Sequence, residues 1–596
     1  MKRSVKIAIL DSGVKKDHIA FRDMEVCGFS LSVSNGEVIR GDDFGDSIGH
    51  GTGIYYLVKK GAPEAEITNI KIFAAEGELT QTNFELILGY ISENYSFDII
   101  NISMGFLRCG NTDDLQRICD RLREKGSILV SAFDNNGAVS FPAALDGVIG
   151  VDGADDVAEG EFTYVKNGII NIIGKNANMR TAFINPDYII VKGTSFLCAR
   201  VSAAAANYIA EHDEFSLRGI CSGETDLGKT ESNHLNFEIK RAAVFPFNKE
   251  IHALARYEDM LSFEVADYYA PRITGYVGKR ISDILPGCEN GRVIKNASEI
   301  CYSGADALIF GHIGELRPLI GQKLIDDVAR GAMEAGVNIY FFENPAEYVS
   351  AGILSEGRYF YPKYTEKNLN RRFGKMFRTD RPVLCVAGTN SKQGKFSLQL
   401  YIRKKMTEYG YTIGEIGTEP TAPLFGMDEV FPCGYNGQVE LDPAQTVTAI
   451  NGMIWDITKK NVDLILCGVQ SGFIAYNDYN AMMFPIDHQT VAAAMQPDAT
   501  VLCINPFDDI EYIIRTIKAI EGLCGGMVIA LVCFPMSVDE NWKGAVGKKR
   551  RISAEEEAMI KHAVSEAVSL PVYILGREAE MTDLVDHCIK FFAGEN

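Results

Sequence analysis

Short apolar runs, each closed by a small-residue turn, recur along this chain at intervals that leave room for a helix between them. In the first third they fall at 5–10, 99–102, 128–132 and 148–151, with helical stretches at 83–93 and 113–125. A strand that is apolar along its whole length is buried on both faces. Strand–helix alternation at this spacing builds a parallel sheet covered by helices. The pattern returns at 305–311 and 337–342, on either side of an amphipathic helix over 319–335. It returns again at 383–387, 462–468, 500–504, 527–532 and 571–575. The chain is therefore expected to be α/β throughout. Its 596 residues exceed what one core serves. The expected division is a domain over 1–212, a polar linker over 213–235, a small α/β domain over 236–375 and a last α/β domain over 376–596.

Charge and cysteine usage exclude several functions. A formal net charge of −20 argues against a nucleic-acid partner and against an anionic membrane surface. No apolar run reaches membrane-spanning length, and the first residues are too interrupted for a secretory signal. The 14 cysteines are scattered without a C-x-x-C pair, and many lie inside apolar strands (Cys385, Cys467, Cys503, Cys533). That is the usage of buried free thiols, with no metal site or disulfide framework indicated, and it points to the cytoplasm.

Three turns in the first third carry candidate chemistry. Strand 5–10 runs into Asp11-Ser12-Gly13. Gly49-His50-Gly51-Thr52 opens an apolar helix, and its glycines leave the imidazole unobstructed. A strand-like run over 188–191 leads through Gly193-Thr194-Ser195 into a helix of small residues. Ser195 thus sits on a helix N-terminus, where free N–H groups stabilise developing negative charge. A serine nucleophile needs a base and a group that orients the base.

The order Asp11, His50, Ser195 is that of subtilisin. Five stretches resemble the subtilisin-like serine peptidase (subtilase) family: Asp11-Ser12-Gly13, Gly49-His50-Gly51-Thr52, Asn101-Ile102-Ser103-Met104-Gly105, Asp134-Asn135-Asn136-Gly137 with the later Phe-Pro-Ala, and Gly193-Thr194-Ser195. The resemblance covers about residues 1–212. It implies that Ser195 attacks a peptide carbonyl, His50 is the base, Asp11 orients His50, and Asn135 donates to the oxyanion with the Ser195 N–H. It also implies that Ser103, Met104 and Gly105 pair with an extended peptide substrate. The chain departs from the family at Ala199, where a proline is usual. It departs also at Phe133-Asp134, where Ala-Gly is usual; this makes Asn136 a competitor for the role of Asn135, although alignment through Gly137 favours Asn135.

The remaining two-thirds holds two phosphate-loop candidates. Residues 223–230 match G-x-x-x-x-G-K-[ST] letter for letter but lack a strand before and a helix after, which makes the match a chance one. Residues 388–397 fail the expression, with Thr389 in place of the first glycine and Phe396 after the lysine. They nevertheless have strand, glycine-rich turn and helix in order, the context in which backbone N–H groups cradle phosphate. The segment resembles the dethiobiotin synthetase-like P-loop family, and more closely an uncharacterised family related to D-glutamate N-acetyltransferases. That implies a nucleotide site of Gly388, Thr389, Asn390, Gly394, Lys395 and Ser397, with ATP or another nucleotide as cofactor. Asn390 and Cys467 replace acidic residues of that family, which removes carboxylates that would support Mg²⁺; Glu419 and Asp463 are the substitutes on offer. The 236–375 segment reads as Rossmann-like without a glycine-rich fingerprint. In it His312 is either a ligand group or, more simply, part of a capped turn. The basic run over 548–551 reads as a solvated loop, with a lid over phosphate as the sharper idea.

These features together predict an intracellular serine endopeptidase fused to a nucleotide-binding module. Its expected substrate is a small peptide precursor, and the peptidase step needs no cofactor. Two other readings use the same residues. One is a nucleotide-dependent ligase or acyltransferase with the subtilisin-like half as peptide scaffold. The other is a non-catalytic, nucleotide-gated peptide-binding module.

Overall fold

The computed structural model describes residues 3–594 apart from 74–78, 109–111, 213, 286–287, 371, 435, 477–478, 480 and 539–548. Asp213 at the head of the expected linker and Lys548 of the basic run therefore lie outside the described residues. The chain forms two compact units. The first is Met1–Lys229 with Asn370–Asp380; the second is Thr230–Leu369 with Arg381–Asn596.

The first unit is organised by a ten-stranded sheet among the described residues. Its order is Gly223–Asp226, Phe162–Lys166, Ile172–Lys175, Ile149–Ala154, Ile128–Ala132, Ile99–Ile102, Lys6–Asp11, Glu66–Lys71, Cys27–Ser34 and Glu37–Gly41. From Ile172–Lys175 to Cys27–Ser34 every neighbouring pair is parallel. The strand Ile99–Ile102 is buried at every position, as an inner strand with both faces covered must be. Helices His50–Gly61 and Thr194–Glu211 close over the sheet, with Ile54, Val58, Leu197, Val201 and Ala205 in one apolar cluster. Parallel strands all end on the same edge, and the turns after Asp11, Ile102 and Ala132 meet there.

Two expected boundaries fail. The stretch 213–235 is not a linker. Residues Gly223–Asp226 form the edge strand of the first sheet, parallel to Phe162–Lys166. An edge strand facing solvent has no apolar periodicity, so it reads as a loop. The letter-perfect motif at 223–230 thus begins with an edge strand rather than a phosphate loop. The boundary at 375/376 moves as well, because Asn370–Asp380 belongs to the first unit.

Among the described residues the second unit is built mainly on two large parallel sheets. One runs Glu429–Val430, Ile413–Gly417, Leu464–Gly468, Val383–Gly388, Ala499–Ile504, Met527–Cys533 and Val572–Ile574. The other runs Lys295–Asn296, Glu264–Ala270, Arg241–Phe245, Ala307–Phe310, Asn338–Phe341 and Tyr359–Phe360. The expected break between 236–375 and 376–596 is not a break between cores. Ala242, Val244 and Tyr268 share one buried cluster with Leu400, Leu424, Phe425 and Val430. Helix Lys395–Glu408 carries Leu400 into that cluster and Leu398 and Ile402 into the cluster of its own sheet, so one helix seals both. Among the described residues no helix is long and apolar enough to cross a membrane.

Candidate functional site

Asp11 is the last residue of strand Lys6–Asp11, His50 the first of helix His50–Gly61, and Ser195 the second of helix Thr194–Glu211. The fold brings all three together. His50 Nδ1 lies 2.8 Å from Asp11 Oδ1 and 3.0 Å from Oδ2, and His50 Nε2 lies 3.1 Å from Ser195 Oγ. Asp11 is 2% exposed and Ser195 8%. Burial pulls the His50 pKa down. The Asp11 carboxylate, by charge and hydrogen bond, and the charge of Asp46 outweigh it, and the pKa ends above its ordinary value.

Local sequence explains this precision. Gly49 caps the His50 helix at φ 95, a left-handed conformation that glycine adopts without strain. A Cβ on Gly51 would lie 2.2 Å from Gly13 O and 3.1 Å from Asp11 Oδ1, so only glycine lets the two turns close. Asp46 ties the corner. Its Oδ1 accepts from Ser12 Oγ at 2.9 Å, Ile48 N–H at 2.9 Å and Gly49 N–H at 2.8 Å. Its Oδ2 accepts from Thr52 N–H at 2.9 Å and Thr52 Oγ1 at 2.6 Å. Sequence reading passed over Asp46, although an Asp three residues before a helix-opening Gly-His is a legible capping signal.

Asn135 and Asn136 separate clearly. Asn135 Oδ1 accepts from the Thr194 N–H at 2.9 Å and from Thr194 Oγ1 at 3.1 Å, which leaves its Nδ2 as the free donor face. Asn136 instead donates its backbone N–H to Asp134 Oδ2 at 2.7 Å. A pocket of about 180 Å³ is lined by His50, Ser195, Asn135 and residues 103–105, without Asn136. Ser103 Oγ itself is engaged, accepting from Asn101 Nδ2 at 2.8 Å and donating to Ser195 O at 3.3 Å. Asn101 also accepts from Ser202 Oγ at 2.9 Å, so a fully buried amide fastens the Ser195 helix to its neighbouring strand.

The second unit carries the phosphate-loop candidate. Strand Val383–Gly388 leads to Gly394 at φ 75 and helix Lys395–Glu408. Lys395 is buried, with Nζ donating to Asn390 O at 2.6 Å and Ser471 O at 2.9 Å. Burial pulls its pKa down to about 8. Gln393 fills the cradle: Oε1 accepts from the Asn390 N–H at 2.9 Å and Nε2 donates to Thr389 Oγ1 at 2.6 Å. Thr389 Oγ1 donates in turn to Asp508. Ser397 is half-buried in the first turn of the helix. A pocket of about 210 Å³ beside Asn390, Ser391 and Lys392 is lined further by Asn505, Phe507, Phe534, Met536 and Ser537.

Other sequence candidates fall into place. Cys467 is fully buried, its thiol donating to Leu384 O at 3.6 Å. Asp463 precedes strand Leu464–Gly468 and accepts from the Thr412 N–H at 2.7 Å, on the sheet edge opposite the loop. It offers nothing at the loop. Glu419 lies on the loop's own edge, its carboxyl pKa raised by burial. His312 is not simply part of a capped turn: its Nδ1 lies 2.9 Å from Glu343 Oε1, and both side chains are buried. Of the basic run, Lys549–Arg551 pairs antiparallel with Met536–Val538, and Arg550 binds Glu556 at 2.8 Å.

Comparison with known proteins finds two family matches. Residues 2–220 match the subtilase family, and residues 372–581 match a P-loop domain of unknown function, DUF1611. The chain is a subtilase-like protease domain fused to a DUF1611 P-loop domain. The major intracellular serine protease of Bacillus subtilis is 26% identical over 245 residues, covering 37% of this chain and 73% of that protein. The thermostable alkaline protease of Halalkalibacterium halodurans is 23% identical over 212 residues, covering 34% of this chain and 55% of that protein. Among solved structures, a DUF1611 family protein from Anabaena variabilis is 15% identical with a TM-score of 0.42, covering 59% of this chain and 99% of that one. A cold adapted subtilisin-like serine proteinase is 19% identical with a TM-score of 0.30, covering 36% of this chain and 79% of that one.

Proposed function

We propose that the subtilase-like unit is a working serine endopeptidase with Ser195 as nucleophile. The observation that carries this reading is the continuous hydrogen-bonded line from Asp11 through His50 to Ser195. In the reaction Ser195 Oγ attacks the scissile carbonyl while His50 Nε2 takes its proton, and His50 then returns the proton to the leaving amine. Asp11 holds the Nδ1–H tautomer and stabilises the imidazolium. The oxyanion is met by Asn135 Nδ2 and the Ser195 N–H. Residues 103–105 pair with the substrate as an added strand. The substrate class is an extended peptide, with a small precursor peptide as the candidate. The site of action is inside the cell, a reading supported by the likeness to the major intracellular serine protease of Bacillus subtilis. A fluorophosphonate probe tests the assignment. Labelling of the wild type that disappears in Ser195→Ala and in His50→Ala supports it; labelling that survives Ser195→Ala overturns it.

We further propose that the loop over 388–397 binds nucleotide phosphate. The residues present fit a phosphate: a buried ammonium at a helix N-terminus donates to two neutral carbonyls, and an anion there would add countercharge to that of the buried Glu419 carboxyl. Bound there, a nucleotide would be held by Lys395 and the first-turn N–H groups, with Gln393 giving up the Asn390 N–H. Among the described residues no group of three or more His, Cys, Asp or Glu is placed to hold a metal ion. ATP and GTP binding to wild type and Lys395→Ala tests this reading, and absence of binding to both proteins rejects it.

A further inference from the structure

The first unit takes eleven residues, Asn370–Asp380, from far along the chain, while Thr230–Leu369 before them and Arg381–Asn596 after them build the second unit. The subtilase match ends at 220. These residues are nevertheless built into the wall beside the oxyanion loop. The Val139 N–H donates to Met376 O at 2.8 Å, and the Met376 N–H donates to Gly137 O at 3.3 Å. A tight turn precedes this pairing, with Phe373 at φ 52 and Gly374 at φ 78, closed by the Lys375 N–H on Arg372 O at 3.0 Å. The turn aims Lys375 inward. Its side chain is 7% exposed, and its Nζ lies 3.2 Å from Asp152 Oδ1. The same Nζ donates to Asp134 O at 3.2 Å, on the peptide that leads into Asn135, and lies 5.7 Å from the Phe133 ring centre.

We infer that Asn370–Asp380 is a working part of the peptidase site and that Lys375 is a positioning residue for Asn135. The inference rests on the peptidase reading above. Subtilase-family sequences usually have glycine where this chain has Asp134, and here that residue's carbonyl is gripped by a buried ammonium. Asp134 Oδ2 meanwhile accepts from the Asn136 N–H at 2.7 Å, turning the chain immediately after Asn135. Lys375 therefore fixes one side of the Asn135 peptide and Thr194 fixes its amide oxygen. Its ammonium is balanced by Asp152 on the neighbouring strand, so the grip does not leave an unpaired buried charge. The first unit is complete only when the chain has been made through Asp380, after the intervening Thr230–Leu369 of the second unit. Oxyanion donors act only at their designed distance, and a displacement near 1 Å costs about 10²-fold in rate.

The test uses the full-length chain and a chromogenic peptide substrate, with kcat and KM measured separately. Wild-type turnover comes first, because its absence rejects the peptidase reading and not the role of Lys375. Given wild-type turnover, Lys375→Met lowers kcat about 10- to 100-fold with KM within about threefold, since the loop's donor is misplaced while the substrate strand at 103–105 is untouched. The double variant Asp152→Asn with Lys375→Met removes the unpaired carboxylate, yet kcat stays low. A kcat within twofold of wild type in Lys375→Met, or recovery of kcat in the double variant, overturns the inference and leaves Lys375 a structural ion-pair partner. Gly374→Val supplies a second route if the methionine variant does not fold. A Cβ there meets nothing within 4 Å, so the change acts only by straining the left-handed turn that aims Lys375. A fivefold or larger fall in kcat supports the inference, and a smaller one opposes it.

Discussion

The Ser195 centre and the Lys395 loop are made from the same device and are left in opposite states. Each sits at the N-terminus of a helix behind a parallel sheet, with a glycine at positive φ at the cap (Gly193 at 153°, Gly394 at 75°). At Ser195 the side chains that position the site are satisfied from behind. Asp11 is held by Ser12, Asn135 by Thr194 and Ser103 by Asn101, while the reacting face opens on a pocket. At Lys395 the loop satisfies itself: the lysine takes two carbonyls and Gln393 takes the Asn390 N–H. In the functions proposed above, the first site is preorganised for chemistry, whereas the second would exchange internal hydrogen bonds for those of a ligand. An enzyme step tolerates little reorganisation, while a binding step accepts it as lost affinity.

Several measurements break or sharpen that contrast. The largest effect belongs to Ser195→Ala, which is expected to abolish probe labelling and to lower peptide turnover by about 10³-fold or more. Asn135→Ala follows, with a loss of about 10²- to 10³-fold in kcat, while Asn136→Ala stays within about threefold because its side chain does not line the pocket. Equal losses in the two variants would remove the distinction drawn between them.

Lys395→Ala comes next, with nucleotide affinity expected to fall about tenfold or more through loss of a buried, charge-assisted contact. Affinity in the wild type should also weaken as pH rises through about 8, because the ammonium that meets phosphate deprotonates there. Binding that is flat from pH 7 to 9 would show that Lys395 does not face the phosphate.

The smallest effect is a shift in the acid limb of peptidase activity. His50 acts as base only when neutral, and its pKa lies above its ordinary 6.5, so activity should begin to fall above pH 6.5 as the solution is acidified. Removing the Asp11 charge in Asp11→Asn moves that limb to lower pH in whatever activity remains. An unmoved limb would mean that another group titrates.

Legibility in the sequence followed the range of the contacts. Asp11, His50 and Ser195 each stand in a small-residue turn at a strand end or helix start, and such turns are local events written in consecutive residues. Asn135 was legible through Gly137 and became distinct from Asn136 only once Thr194 was seen to hold its amide oxygen. The strand Gly223–Asp226 was illegible because its side chains face solvent and leave no apolar period. Lys375 was illegible for a different reason: its partner Asp134 lies 241 positions away, and no local pattern joins them.

The sequence by itself determined the α/β class, the parallel strands and the residue types at both helix N-termini, since hydrophobic period and turn chemistry act over a few residues. Tertiary structure alone decided that Asn370–Asp380 returns to the first unit. It also decided that the middle and last thirds share a core through Leu400, and that Gln393 and Lys395 close their own loop. Those outcomes depend on which surfaces find cover and which buried charges find partners, and burial is settled by the whole fold rather than by neighbours along the chain.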